Sequence, residues 1–314
     1  MLNPAADERS NSAVDGVMIR LGVVSFLNAR PLIEGLDKVE GVQCVFDVPA
    51  ALPQRLAAGD VDAALVPVID LLRCGGRFRV ISDACIACDG ETMTVRVFAR
   101  VPPERIRTLW VDCDSHTSVA LAVVLWRELF GRELALQPCQ PRIDDLSAAE
   151  AVLLIGDKVV DPGRGHFAYE VDLGGAWREH TGLPFVFAAW ACQCTPRCGQ
   201  RAWPAGFPAD EPTSSAAQQD RASADHLATL LSAARDRGVA QAAQIAVRDG
   251  PKHGWPVALA QRYLTRCLKF TLDASVVAGA NRFARLCAAA GLVPPDAEIL
   301  WPAALQARPV EAAR

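Results

Sequence analysis

Met18-Ile19-Arg20-Leu21-Gly22-Val23-Val24-Ser25-Phe26-Leu27-Asn28-Ala29-Arg30-Pro31-Leu32 decides how the rest of the chain is read. An apolar run ends at Ser25, small polar side chains follow, and Pro31 stands where the first turn of a helix tolerates a residue without an N–H. A strand that turns into a helix start leaves backbone donors free, and the positive end of the helix dipole lies with them. The stretch is therefore expected to form the floor of an anion-binding cleft, where a carboxylate or phosphate rests without a lysine.

Outward from this turn, the pattern alternates between strands and helices. Pro31 to Leu36 reads as a helix and Val42 to Val48 as a strand; Pro49 to Gly59 has helical spacing, and Asp60 to Pro67 is a short buried strand. Phe78 to Ala87 and Thr92 to Arg100 predict two more strands, the second crossing into another lobe. Thr108 to Asp112 opens a new sheet, and Ser115 to Ser118 starts a helix that continues from Val119 to Phe130. Ala135 to Cys139 and Ala151 to Ile155 are strands, and Phe185 to Trp190 crosses back. Residues 193–224, rich in Pro, Ser, Ala and Cys and without a period, read as a surface insertion. Helical patterns then cover Leu227–Arg237, Val239–Arg248, Pro256–Phe270 and Ala274–Ala290. The expected fold class is α/β, with two lobes joined by two crossing strands and a helical C-terminal section. Lobe 1 takes 18–94 and 191–292, and lobe 2 takes 95–190. A disordered extension covers 1–17 and a tail covers 293–314.

A chain of 314 residues can bury a large core, and no segment approaches the ~20 uncharged apolar residues of a membrane span. Met1 to Val17 lack the basic start and apolar core of a secretory signal, so a soluble cytoplasmic protein is expected. A formal net charge of −4 speaks against broad nucleic-acid or membrane binding and leaves a small molecule as the expected partner. Oligomeric state is left open. Eleven cysteines in such a chain are expected to be buried thiols rather than a disulfide framework. Cys85 and Cys88 form a Cys-x-x-Cys without a second ligand pair at zinc spacing. Cys192, Cys194 and Cys198, with His226 further on, do not complete a set of four either. These spacings imply no metal site.

Val24-Ser25-Phe26-Leu27-Asn28-Ala29-Arg30-Pro31 resembles the V-S-Y-L-N-x-R-P opening of the chorismate dehydratases of the futalosine route to menaquinone. Later phrases agree in order. They are the Gly59 helix stop followed by Asp60 to Pro67, Cys85-Ile86-Ala87-Cys88-Asp89-Gly90, Leu153-Leu154-Ile155-Gly156-Asp157, and Leu173 to Pro184 around Trp177. The related dihydroxynaphthoate synthases open with a Cys- and Pro-containing turn instead. The resemblance implies a type 2 periplasmic-binding-protein fold with the ligand between the lobes. It also implies a carbon–oxygen lyase (hydro-lyase) that converts chorismate to 3-[(1-carboxyvinyl)oxy]benzoate plus water, with neither metal nor organic cofactor.

Three polar sets are expected at the cleft: Ser25 with Asn28, Thr92 with Thr94, and Ser115 with Thr117 and Ser118. On the resemblance, Asn28 and Thr94 are the catalytic candidates. Ser25, Thr92, Arg96, Ser115, His116, Thr117, Ser118, Gly156 and Asp157 are the substrate-binding candidates. These motifs offer no evident His, Glu or Lys as a base, and the family's proposed answer is that the substrate's enolpyruvyl carboxylate takes the ring proton. Thr94 stands for the family's serine, His116 for its arginine in Ser-Arg-Thr-Ser, and Arg96 for an aliphatic residue. Strand alternation would put Arg96 on the face of Thr94, where it would supply positive charge. Each set has a plainer reading as well: Ser115 as a helix cap, Ser25 and Asn28 as turn formers, His116 and Arg96 as solvated surface residues. The alternatives are a non-catalytic small-carboxylate binding or sensor protein of the same fold, or the dihydroxynaphthoate synthase.

Overall fold

The opening apolar run is strand β1 (Ile19–Val24), buried at every position except Arg20. In the computed structural model, which describes residues 18–141, 144–160, 167–194 and 216–306, β1 pairs in parallel with β2 (Val42–Asp47) and β3 (Ala63–Pro67). All five residues of β3 are buried, as befits a strand covered on both faces. The antiparallel strands β4 (Phe78–Cys88), β10 (Phe185–Gln193) and β11 (Leu268–Thr271) complete a six-stranded sheet, ordered β11-β4-β10-β3-β1-β2. A second sheet runs β7 (Ala135–Cys139), β6 (Thr108–Asp112), β8 (Ala151–Ile155), β5 (Val95–Ala99), β9 (Tyr169–Asp172). Here β6 is parallel to β7 and β8, whereas β5 is antiparallel to β8 and β9. Burial pushes the thiols of Cys85 and Cys88, both on β4, well above the usual range, so they pack as small apolar groups.

The chain passes between the sheets twice, from Cys88 to Val95 and from Thr181 to Phe185. The strand expected over 92–100 begins only at Val95, because Met93 takes a left-handed φ of 62°. The Asp172 carboxylate accepts the N–H groups of Thr92 at 3.0 Å and Met93 at 2.8 Å, which fixes a turn in place of extended chain. On the return, β10 pairs with β3 and β4 from Phe185 to Gln193, so residues 185–190 lie in the first sheet and not in the second half, where 95–190 had been assigned. Pro256–Phe270 is not one helix. It divides into α7 (Val257–Arg262), a π-helical turn at Tyr263–Cys267, and β11.

The segment after β1 is a 3-10 helix, Leu27–Ile33, with Pro31 inside it rather than at its start. Helix α5 (Ala216–Ala240) packs on it and on β4, and Gly238 permits the approach, since a Cβ there would stand 1.9 Å from the Pro31 carbonyl oxygen. In the second lobe, α3 (His116–Phe130) is capped by Ser115, whose Oγ accepts the Ser118 N–H at 3.2 Å, and it ends at Gly131 with φ 60°. Its Leu121, Leu125 and Trp126 are buried, each contributing about 1.5–3 kcal/mol. Among the described residues no helix is long and apolar enough to cross a membrane. The extension 1–17, most of the expected insertion including Cys198, and 307–314 lie outside the described residues.

Candidate active site

The carboxyl ends of β1 and β3 in one sheet face those of β6 and β8 in the other, which is where open α/β sheets leave a crevice. A narrow cavity of about 50 Å³ lies there. Its apolar wall includes Val24, Phe26, Pro67 and Ile86, and its polar lining is Asn28, Thr92, Thr94, Ser115, Thr117, Ser118 and Tyr263. Among the described residues no charged side chain lines it.

Asn28 and Thr94 meet through Tyr263. The phenol oxygen lies 2.8 Å from Thr94 Oγ1, and the Asn28 side chain hydrogen-bonds it as well. Burial pushes the phenol well above its ordinary range, more than its bonds to Thr94 and Asn28 pull it back, so Tyr263 keeps its proton at neutral pH. Its ring stacks on Trp255, with centroids 4.7 Å apart and planes 12° from parallel. The Oδ1 of Asn28 is buried and carries no hydrogen bond among the described residues, an unsatisfied acceptor on a residue that lines the cavity. Tyr263 was missed in the sequence because it lies inside a helix-like run, 169 residues from Thr94.

The hydroxyl of Thr117 accepts the Ile69 N–H at 3.3 Å and donates to the Phe187 carbonyl at 3.2 Å, so it fastens the second lobe to the first. Ser115 and Ser118 bring the start of α3, with its dipole and first-turn N–H groups, to the cavity. Gly156 lines it too; its φ of 61° and the Phe26 ring, 2.6 Å from where a Cβ would stand, both require glycine.

Four expected residues lie elsewhere. Arg96 turns to β9, pairing with Glu170 and with Asp172 at 3.4 Å, whereas Thr94 lies before the first residue of β5 and meets Tyr263 instead. His116 Nδ1 lies 2.8 Å from Asp70 Oδ2 on the opposite lobe, outside the cavity lining. Ser25 and Asp157 line a second chamber of about 470 Å³ on the far side of Phe26, with Asp112, Asp114, Lys158 and His253. The anion floor expected of the opening turn is already occupied, since the Asp157 carboxylate receives the Leu27 N–H at 3.3 Å on both oxygens.

In that outer chamber Lys158, 4% exposed, lies 2.5 Å from Asp112 Oδ2 and 2.7 Å from Asp114 Oδ2. Burial raises the Asp112 carboxyl above its usual range although Lys158 opposes the shift. Among the described residues no group of three or more His, Cys, Asp or Glu side chains is arranged to hold a metal ion.

A family model described as menaquinone biosynthesis matches residues 19–289. A chorismate dehydratase of Thermus thermophilus is 29% identical over 187 residues, covering 54% of this chain and 68% of that protein. Among solved structures, a protein from Archaeoglobus fulgidus aligns with a TM-score of 0.61 at 15% identity, over 88% of this chain and 98% of that one. The periplasmic aliphatic sulphonate binding protein SsuA of Escherichia coli aligns at 0.57 and 14%, over 90% and 96%. At these identities the structural likeness carries the two-lobed binding-protein fold alone.

Proposed function

The chain belongs to the menaquinone-biosynthesis family, and from that premise we propose that it is a chorismate dehydratase, a hydro-lyase acting between its two lobes. The observation that carries this reading is the chain of Asn28, Tyr263 and Thr94 at the mouths of both sheets, anchored on the same opening turn that carries the family resemblance. The dihydroxynaphthoate synthase reading is weaker because that turn holds Ser25-Phe26-Leu27-Asn28 in place of a Cys- and Pro-containing one.

Loss of the ring C–H beside the ether leaves its electron pair to form a ring double bond as the neighbouring hydroxide departs. Proton and hydroxide together make the released water, and aromatisation supplies much of the driving force. The cavity offers no side-chain base, which suits a substrate whose own enolpyruvyl carboxylate takes the proton. In this reading the open Oδ1 of Asn28 accepts from the ring hydroxyl and orients it. Tyr263, protonated and bonded to Thr94, lies with Thr94 as donor to the departing oxygen. The start of α3 with Ser115 and Ser118 holds a carboxylate through N–H groups and hydroxyls, and Thr92 completes that wall. A cavity of about 50 Å³ is far below the ~300 Å³ or more of a typical ligand pocket, so entry requires the lobes to part.

Incubating the purified chain with chorismate and following the aromatic product tests the assignment. Formation of 3-[(1-carboxyvinyl)oxy]benzoate is the expected result. Binding without conversion would assign a receptor of the same fold, and neither binding nor conversion would remove the proposal.

A further inference from the structure

We infer that Asp157 is a positioning residue that makes Asn28 and Tyr263 face one cavity, a role that rests on reading that cavity as the active site. Asp157 follows β8 in the second lobe and is among the most buried carboxylates at the interface, its side chain 7% exposed. Oδ1 accepts from Trp255 Nε1 at 2.8 Å, Oδ2 from His253 Nδ1 at 2.7 Å, and both from the Leu27 N–H at 3.3 Å. All three donors belong to the first lobe or its C-terminal section. Leu27 precedes Asn28 in the chain, and Trp255 is the ring on which Tyr263 stacks. One carboxylate from the second lobe thus holds the backbone beside one cavity group and the ring beneath another. With its acceptor positions taken it has little left for substrate, so the binding role expected of Asp157 gives way to a positioning one.

The surrounding groups enforce this use. His253 Nε2 accepts from Arg30 Nε at 3.3 Å, which leaves Nδ1 as the nitrogen that donates to Asp157 and returns the chain of bonds to the helix that carries Asn28. Lys158, the adjacent cation, is committed to Asp112 and Asp114. The absence of a Cβ on Gly156 lets the Phe26 ring close against the turn, bringing Asp157 up to Leu27. When the lobes part, these bonds break together, and the register between Asn28, Tyr263 and Thr94 is lost with them.

The test uses the full-length chain as Asp157→Asn, Trp255→Phe and the double variant, with two readouts. In unliganded protein, amide hydrogen exchange at Leu27 is expected to rise about tenfold in Asp157→Asn while strand 63–67 is unchanged. In turnover of chorismate, kcat is expected to fall about tenfold to a hundredfold with KM moved less than about threefold. Trp255→Phe keeps the stacked ring but not its N–H; it should lose less, and add little in the Asp157→Asn background. Unchanged exchange at Leu27, a rise equally large in strand 63–67, or Asp157→Asn turnover within about twofold of the parent would overturn the inference. If the parent chain does not convert chorismate, the proposed function fails, and exchange at Leu27 still decides the positioning claim.

Discussion

The two chambers on either side of Phe26 are built from opposite chemistry. The inner one is lined by an amide, hydroxyls and a phenol with no charged group among the described residues; the outer one gathers Asp112, Asp114, Asp157, Lys158 and His253. The outer charges are spent on one another and on the opposite lobe, since Lys158 answers two aspartates while Asp157 answers Leu27, His253 and Trp255. The inner groups keep unspent capacity, most plainly the Oδ1 of Asn28. In the proposed reading, charge holds the two lobes together and neutral groups meet the substrate. A doubly charged ligand gripped by hydroxyls and a helix start also has no fixed cation to leave when it becomes product.

Breaking the outer set should cost the most stability. Lys158→Met leaves two facing aspartates without their cation and is expected to lower unfolding free energy by about 3–5 kcal/mol, read from denaturant titration. A loss under about 1 kcal/mol would mean that the outer charges are ordinary surface pairs. Breaking the inner set should instead cost activity. Tyr263→Phe keeps the ring on Trp255 but strands Thr94 and Asn28, and kcat/KM should fall about tenfold, worth about 1–2 kcal/mol, with the fold intact by circular dichroism.

Two controls lie outside both chambers. Asp273 caps α8 (Ala274–Ala289) through the N–H groups of Ser275 at 2.9 Å and Val276 at 3.0 Å. Burial raises its carboxyl, but Lys269, Ser275 and Val276 outweigh that and draw it down to about 2, below its ordinary 3.8. A lowered carboxyl stabilises the fold above the unfolded value and loses that effect as pH falls through the folded one. Asp273→Ala should therefore cost about 0.5–2 kcal/mol at neutral pH. The gap to the parent should close between pH 3.8 and about 2. The smallest effect is expected from Arg96→Ala, whose pairing with Glu170 and Asp172 is partly solvated: kcat/KM within about twofold and stability within about 1 kcal/mol. A large loss of turnover there would put a charge back at the inner cavity.

Legibility in the sequence follows how local each signal is. Strands β6, β7 and β8 are written in short apolar or alternating runs, and their bounds agree with the structure; the Ser115 cap and Gly131 stop frame α3 in the same way. Strand β11 was hidden because residues 256–270 carry a helical period through a π-helical turn into four residues of strand. Arg96 was misaligned because Thr94 lies before β5 begins and because Glu170 and Asp172, distant in sequence, draw the guanidinium to β9. Asn28 and Thr94 are visible from their turns, but the group that joins them is not. Of only two tyrosines in the chain, Tyr169 sits exposed on an edge strand and Tyr263 is buried, yet Gln261, Arg262, Thr265 and Arg266 surround Tyr263 in sequence and give no local sign that its phenol needs a buried partner.

The central claim is that a neutral trio between two lobes dehydrates chorismate, and the most direct measurement is single-turnover incubation of chorismate with the parent chain and with Asn28→Ala at neutral pH. The account predicts stoichiometric aromatic product from the parent and a rate at least about tenfold lower in the variant, the worth of one strong hydrogen bond. Chorismate left unconsumed by the parent, or consumed equally fast by Asn28→Ala, would contradict it.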